Sequence, residues 1–220
     1  MMKIKYFNDK KDYSNYIKIY IEKIISNELK EKDKFYFVLP GGNTLEFILD
    51  IISDLNLDWA KIYFLLTDER CVLKKSIYRN DLIISKYLKK NNFFDFNNNF
   101  IGIPAELGPE DGAREYREIL ESIPNFDLCI LGLGEDGHTA SLFSDDKVIN
   151  DDRSAVPVFD SPKLPKERVS LGLNRLRLSK NKIVLVYDKE KLKILELIES
   201  GRSYPITLVS PNFYYVLKNV

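Results

Sequence analysis

The chain is short of the residues from which most reactive sites are built. Its 220 residues include one histidine, two cysteines, two methionines and one tryptophan. Cys71 and Cys129 cannot supply a disulfide framework, and neither sits in a CxxC. With a single His they cannot build a usual zinc site either. A reduced, cytoplasmic setting is therefore expected. Charge of one sign is also missing: 33 Lys and Arg stand against 33 Asp and Glu, a formal net charge of zero. Nucleic acid and anionic membrane both favour a basic face, so neither is an expected partner. Long apolar runs are absent as well. The longest uncharged stretch, Ser203–Leu217, is fifteen residues interrupted by Pro205 and Pro211. That is too short to span a bilayer, and MMKIKYFNDKKDY has no apolar core of signal-peptide length. No linker, repeat or low-complexity tract divides the chain, so residues 1–220 read as one domain. The sequence does not set the oligomeric state; a monomer is compatible with it.

What is present is material for a large core: 45% apolar residues, with 13 Phe and 13 Tyr. Short β-rich runs alternate with longer amphipathic stretches. Strands are expected at 4–7, 34–39, 62–67, 100–103, 126–131, 182–187 and 206–210. Helices are expected near 13–29, 44–55, 80–88, 109–122 and 191–200, with Asn43 and Glu46 as an N-cap pair for the second. The segment 89–100 reads as an Asn-rich connection. This alternation predicts an α/β fold: a mostly parallel, Rossmann-like sheet with helices on both faces. Ligands of such sheets sit outside the carboxyl ends of the strands.

Three strand ends carry polar, glycine-bearing loops. In LPGGNT (39–44), Gly41 and Gly42 allow a tight turn whose N–H groups can cradle an anion, and Asn43 and Thr44 add donors. A plain tight turn is the competing reading, since the Lys of a Walker loop is missing. In LTDER (66–70), Asp68, Glu69 and Arg70 follow an apolar strand. A solvated turn is the ordinary fate of such a cluster. However, Arg is scarce here, 9 against 24 Lys, and its planar fork suits a carboxylate, phosphate or oxyanion. In LGLGEDGHT (131–139), the only histidine, His138, follows Asp136 and Gly137. A helix opening at Thr139 would disfavour the imidazolium and leave a neutral base, which Asp136 could orient. Gly132-Leu-Gly134-Glu-Asp-Gly137 fits the dinucleotide GxGxxG, but Glu135 and Asp136 would repel a pyrophosphate, so that reading is set aside. No GxSxG is present to support a serine-hydrolase elbow.

Together the segments LPGGNTLEF (39–47), TDERCVLKKSIYRND (67–81), LGLGEDGHTASLF (131–143) and SPKLPKERVSLGLNRL (161–176) resemble the 6-phosphogluconolactonase family, in family order and over most of the chain. The resemblance implies a sugar-phosphate fold shared with glucosamine-6-phosphate deaminases and ribose-5-phosphate isomerases, with no nucleotide, metal or other cofactor. It implies hydrolysis of 6-phosphoglucono-1,5-lactone to 6-phosphogluconate in the oxidative pentose phosphate pathway. On it, His138 would activate water, Asp136 would orient His138, Arg70 would stabilise negative charge, and Asp68 would position sugar or water. Gly41, Gly42, Asn43 and Thr44, with Lys163 and Arg168, would hold the phosphate.

Several positions depart from the family pattern. Pro40 and Leu45 stand where Ser and Pro are usual, Leu73 replaces a Pro, and Arg79 replaces a Ser. Tyr187-Asp188 replaces a Thr-Gly that precedes a Lys, here Lys191. An acid at 188 could repel phosphate, or pair with Lys191. Two rivals stand beside the lactonase: a glucosamine-6-phosphate deaminase or isomerase, and a non-catalytic sugar-phosphate-binding regulator on the same scaffold.

Overall fold

A computed structural model describes residues 2–90, 99–144 and 147–219. Strands β1 (Ile4–Phe7), β2 (Phe35–Leu39), β3 (Ile62–Leu66), β4 (Asp68–Arg70) and β5 (Phe100–Ile101) form the first half. They are followed by β6 (Leu128–Gly132), β7 (Ala155–Val158), β8 (Arg168–Leu171), β9 (Asn181–Val186) and β10 (Phe213–Leu217). Seven of these make one sheet in the order β1-β10-β9-β6-β2-β3-β5, and each neighbouring pair is parallel. All five residues of β2 are buried. Side chains alternate between faces along a strand, so both faces of the sheet are covered there, as a parallel sheet requires.

The helices are α1 (Lys10–Glu28), α2 (Gly42–Ser53), α3 (Asn80–Lys90), α4 (Pro109–Glu121), α5 (Leu173–Arg177), α6 (Lys189–Glu199) and α7 (Pro205–Leu208). In α1 the Asp9 side chain caps the amides of Lys11 and Asp12, and Tyr13, Ile17, Ile21 and Ile25 bury one stripe at a spacing of four. The expected strand at 206–210 is instead α7, which opens on Pro205. Proline pre-sets the first helical φ and has no N–H to lose, so it favours a helix start over a strand interior. The last strand lies later, as β10. Asn43 is not a cap: α2 begins at Gly42, and its cap residue, Gly41, offers no side chain. Residues 91–98 of the Asn-rich connection lie outside the described residues.

A second, three-stranded antiparallel sheet, β4-β8-β7, was not legible as strands. It grows from the end of β3, where Leu171 N–H donates to Thr67 O at 2.8 Å. Its register sets Asp68 opposite Ser170 and Arg70 opposite Arg168. The expected charged loop at 68–70 is therefore a strand, with Asp68 and Glu69 buried.

Candidate active site

Going outward from β2, the chain runs through β3 to β5, then returns to β6 on the other side of β2 and continues through β9. An open parallel sheet leaves a crevice where its strand order reverses in this way. The segments following β3, β2, β6 and β9 line one cleft there, of about 750 Å³.

The β2 segment, Pro40–Thr44, turns directly into α2. Gly42 has φ +65, a left-handed backbone that glycine adopts without strain. The first-turn amides of α2 have no intrahelical acceptor and stand at the cleft wall. Asn43 and the buried Thr44 line the same wall.

The β6 segment carries the histidine. Its backbone folds on itself, with Gly137 N–H donating to Gly134 O at 3.0 Å and Gly134 N–H to His138 O at 2.9 Å. The His138 ring donates Nδ1–H to Asp136 Oδ1, and its amide donates to the same oxygen at 3.1 Å. Partial burial raises the Asp136 carboxyl, but the ring and amide of His138 outweigh it and hold the group at about 2. With Nδ1 engaged, Nε2 is the ring nitrogen left for the cleft that His138 lines. Phe143 braces the ring at 4.6 Å between centroids. No helix opens at Thr139, which is held in a turn closed by a bridge to Leu142. The expected helix dipole is therefore absent, and the Asp136 carboxylate with Phe143 orients the ring. A dinucleotide loop is disfavoured for the same reason, since its pyrophosphate needs that helix.

Gly134 sits where a side chain cannot. A Cβ there would lie on His138 Nδ1 and 2.7 Å from Asp136 Oδ1. Gly134→Ala is expected to break the Asp136–His138 pair and cost ~100-fold in turnover, the loss of an oriented base. Far-ultraviolet circular dichroism should be unchanged beside the kinetics. Turnover at the parental level would show that the pair is not required.

After β3, Asp68 accepts from Thr67 Oγ1 at 2.9 Å and from Ser141 Oγ at 2.6 Å. It thus ties the histidine segment to β4. Arg70 lines the cleft. Its Nη1 donates to Tyr78 O at 2.7 Å, while its buried Nε has no protein partner. Glu69, fully buried, accepts the amides of Arg70, Asn80 and Asp81 at 2.8, 2.9 and 2.9 Å. One carboxylate thus fixes the backbone of Arg70 and caps α3 from a neighbouring strand. Arg79 lies beside it, only 2% exposed. Its guanidinium meets Asp81 at 2.7 Å, Glu106 at 3.2 Å and Glu69 at 3.8 Å, and donates to the carbonyls of Val72 and Ile103. Burial pushes the Cys71 thiol up to about 12, so it serves as apolar filling rather than a nucleophile.

Lys163 and Arg168 also line the cleft, in different states. Lys163 is largely exposed and lies 3.6 Å from Glu135. Arg168 is buried, and each of its nitrogens donates within the protein: to Pro165 O at 3.0 Å, Lys163 O at 2.8 Å and Ser141 Oγ at 3.3 Å. The geometry makes Arg168 the holder of the 163–165 loop. Sequence reasoning missed Ser141 and the structural part of Glu69. On the wall after β9, Tyr187, Asp188, Lys189 and Lys191 line the cleft, and of the two readings offered for Asp188 the pairing with Lys191 is the one observed. The one signal for that wall was the departure at 187–188.

A family model described as glucosamine-6-phosphate isomerases/6-phosphogluconolactonase matches residues 8–216. A 6-phosphogluconolactonase of Chlamydia pneumoniae is 34% identical over 203 residues, covering 86% of this chain and 77% of the relative. One from Thermotoga maritima is 33% identical over 200 residues, covering 88% and 89%. A crystal structure of 6-phosphogluconolactonase from Thermotoga maritima superposes with a TM-score of 0.88 at 29% identity, over 99% of this chain and 100% of that one. A cleft at the strand-order reversal, four ordered motifs within it and relatives matched along most of their length lead to one assignment: the chain belongs to the 6-phosphogluconolactonase family of sugar-phosphate lactone hydrolases.

Proposed function

We propose that the chain hydrolyses 6-phosphoglucono-1,5-lactone to 6-phosphogluconate, with His138 as the base that activates water. The observation that carries this reading is His138, oriented by Asp136, in one cleft with Arg70, whose buried Nε has no protein partner. Nε2 of His138 takes a proton from water as the water oxygen attacks the lactone carbonyl carbon. Negative charge then develops on the carbonyl oxygen, and Arg70 is the cation placed to stabilise it. Collapse breaks the bond from that carbon to the ring oxygen, and His138 returns its proton to the departing alkoxide. That alkoxide stays attached as the ring hydroxyl, so no covalent enzyme intermediate is needed. Gly41, Gly42, Asn43 and Thr44 offer the phosphate the donors at the start of α2, with Lys163 at the rim. Asp68 acts from behind, through Ser141, and Arg168 through the loop it holds.

Proton release from freshly generated lactone, measured beside an enzyme-free blank, tests the reading. Turnover above the blank is expected. A rate equal to the blank, with ammonia released from glucosamine 6-phosphate instead, would move the chain to the isomerase side of its family. Arg70→Ala is expected to lower kcat ~100-fold, as loss of one oxyanion donor does, without moving the melting temperature by more than about 3 °C. A large drop in melting temperature would make Arg70 a structural residue.

A further inference from the structure

Three cations of the cleft already have carboxylates beside them. Lys163 lies 3.6 Å from Glu135, with both side chains more than half exposed, and Arg168 lies 3.8 Å from buried Asp68. The tightest pair stands on the wall after β9, where Lys191 Nζ meets Asp188 Oδ2 at 2.5 Å. Its ammonium is poorly solvated, the Lys191 side chain being only 16% exposed. A stack of rings fixes the place of that ammonium. Tyr13 stacks on Phe47 and Phe47 on Tyr187, with centroids 5.7 and 4.9 Å apart. Lys191 Nζ lies 5.4 Å from the Tyr187 ring. Asp188 is the residue before α6, yet its side chain makes no capping bond to the helix. Its carboxylate is instead committed to Lys191.

We infer that Asp188 sets the strength of phosphate binding by competing with the substrate's phosphate for Lys191. This rests on the sugar-phosphate reading above. A bound phosphate near the α2 cradle competes with Asp188 for the Lys191 ammonium, and the Asp188 carboxylate then lies close to a dianion. Both effects weaken the hold on phosphate, in substrate and product alike. The sugar end of the ligand is untouched, so the effect is confined to phosphorylated ligands.

The test is calorimetric binding of 6-phosphogluconate, of gluconate without phosphate and of inorganic phosphate to the full chain. Wild type is compared with Asp188→Asn, Lys191→Met and the double variant. Asn is as good a residue before a helix as Asp, and a thermal melt confirms folding. Asp188→Asn is expected to tighten 6-phosphogluconate and inorganic phosphate about tenfold, the equivalent of one released charge-assisted hydrogen bond. Gluconate binding should not change. In the Lys191→Met background, the same substitution should change phosphate binding less than about twofold. Unchanged or weaker phosphate binding in Asp188→Asn would overturn the inference, showing that Asp188 positions Lys191 rather than competes for it. An equal gain without Lys191 would overturn it too, leaving plain repulsion. Failure of the functional reading looks different: wild type would bind inorganic phosphate without preferring 6-phosphogluconate and would not turn over the lactone. The inorganic phosphate arm still decides the Asp188–Lys191 question in that case.

Discussion

His138→Ala is expected to lower lactone turnover at least ~100-fold, within the range that loss of a general base gives. Binding of 6-phosphogluconate should survive, because the phosphate cradle lies on a different strand end, Pro40–Thr44 after β2. The size of the effect follows from the chain's composition. His138 is its only histidine, and no second imidazole can substitute. The neighbouring carboxylate cannot take over either. Asp136, held at about 2 against an ordinary 3.8, is too weak a base near neutrality and is already committed to the ring. Because that carboxyl is depressed in the folded chain, its contribution to stability is present above about 3.8 and is lost as pH falls through about 2. Any fall in kcat between about pH 4 and 8 therefore does not come from protonating Asp136. Comparing kcat for wild type, His138→Ala and the blank decides the matter. Parental turnover above the blank in the variant would remove His138 from the mechanism, whereas rates equal to the blank in both proteins would favour a regulator that only binds.

Arg79→Ala is expected to destabilise the fold by ~3–5 kcal/mol, the cost of stranding the buried Glu69 carboxylate without its cation and emptying a buried donor site. For a chain of this size that lowers the melting temperature on the order of 10 °C. The Arg79 side chain is 2% exposed and that of Glu69 is fully buried, so water cannot replace the guanidinium. Asp81, Glu106 and two backbone carbonyls lose their shared donor at the same time. Arg79→Lys should recover only part of the loss, because one ammonium cannot reproduce a planar fork. Differential scanning calorimetry reads both variants. An unshifted melting temperature in Arg79→Ala would show that these carboxylates are stable without their partner.

The network around Arg79 also shows why part of the site escaped sequence reasoning. Asp68-Glu69-Arg70 has the composition of a solvated turn, and isolated short runs of charge usually are one. Here the partners that bury it lie far along the chain: Val169 opposite Glu69 in β8, and Ser141 donating to Asp68. No local pattern announces such pairings. The setting of Arg168 was hidden for a similar reason. Its charge suggested an anion, whereas the loop at 163–165 engages the guanidinium through backbone carbonyls. The helix expected at Thr139 was read from glycine spacing, but the segment closes its amides within a turn before a helix can start.

Period and punctuation were enough for the rest. Alternating apolar runs determined a parallel α/β sheet, because strands buried on both faces and helices with one apolar stripe have few other ways to cover each other. Glycines at strand ends marked where the backbone must turn tightly, and the scarcity of His and Arg drew attention to His138 and Arg70. Tertiary structure decided what those side chains do. It placed Asp136 on His138, left Arg70 Nε without a partner, turned Arg168 inward and set Asp188 on Lys191. The division follows from range. Secondary structure and turns are dictated by neighbours within a few residues. The charge state and availability of a side chain depend on groups that only folding brings within a few ångströms.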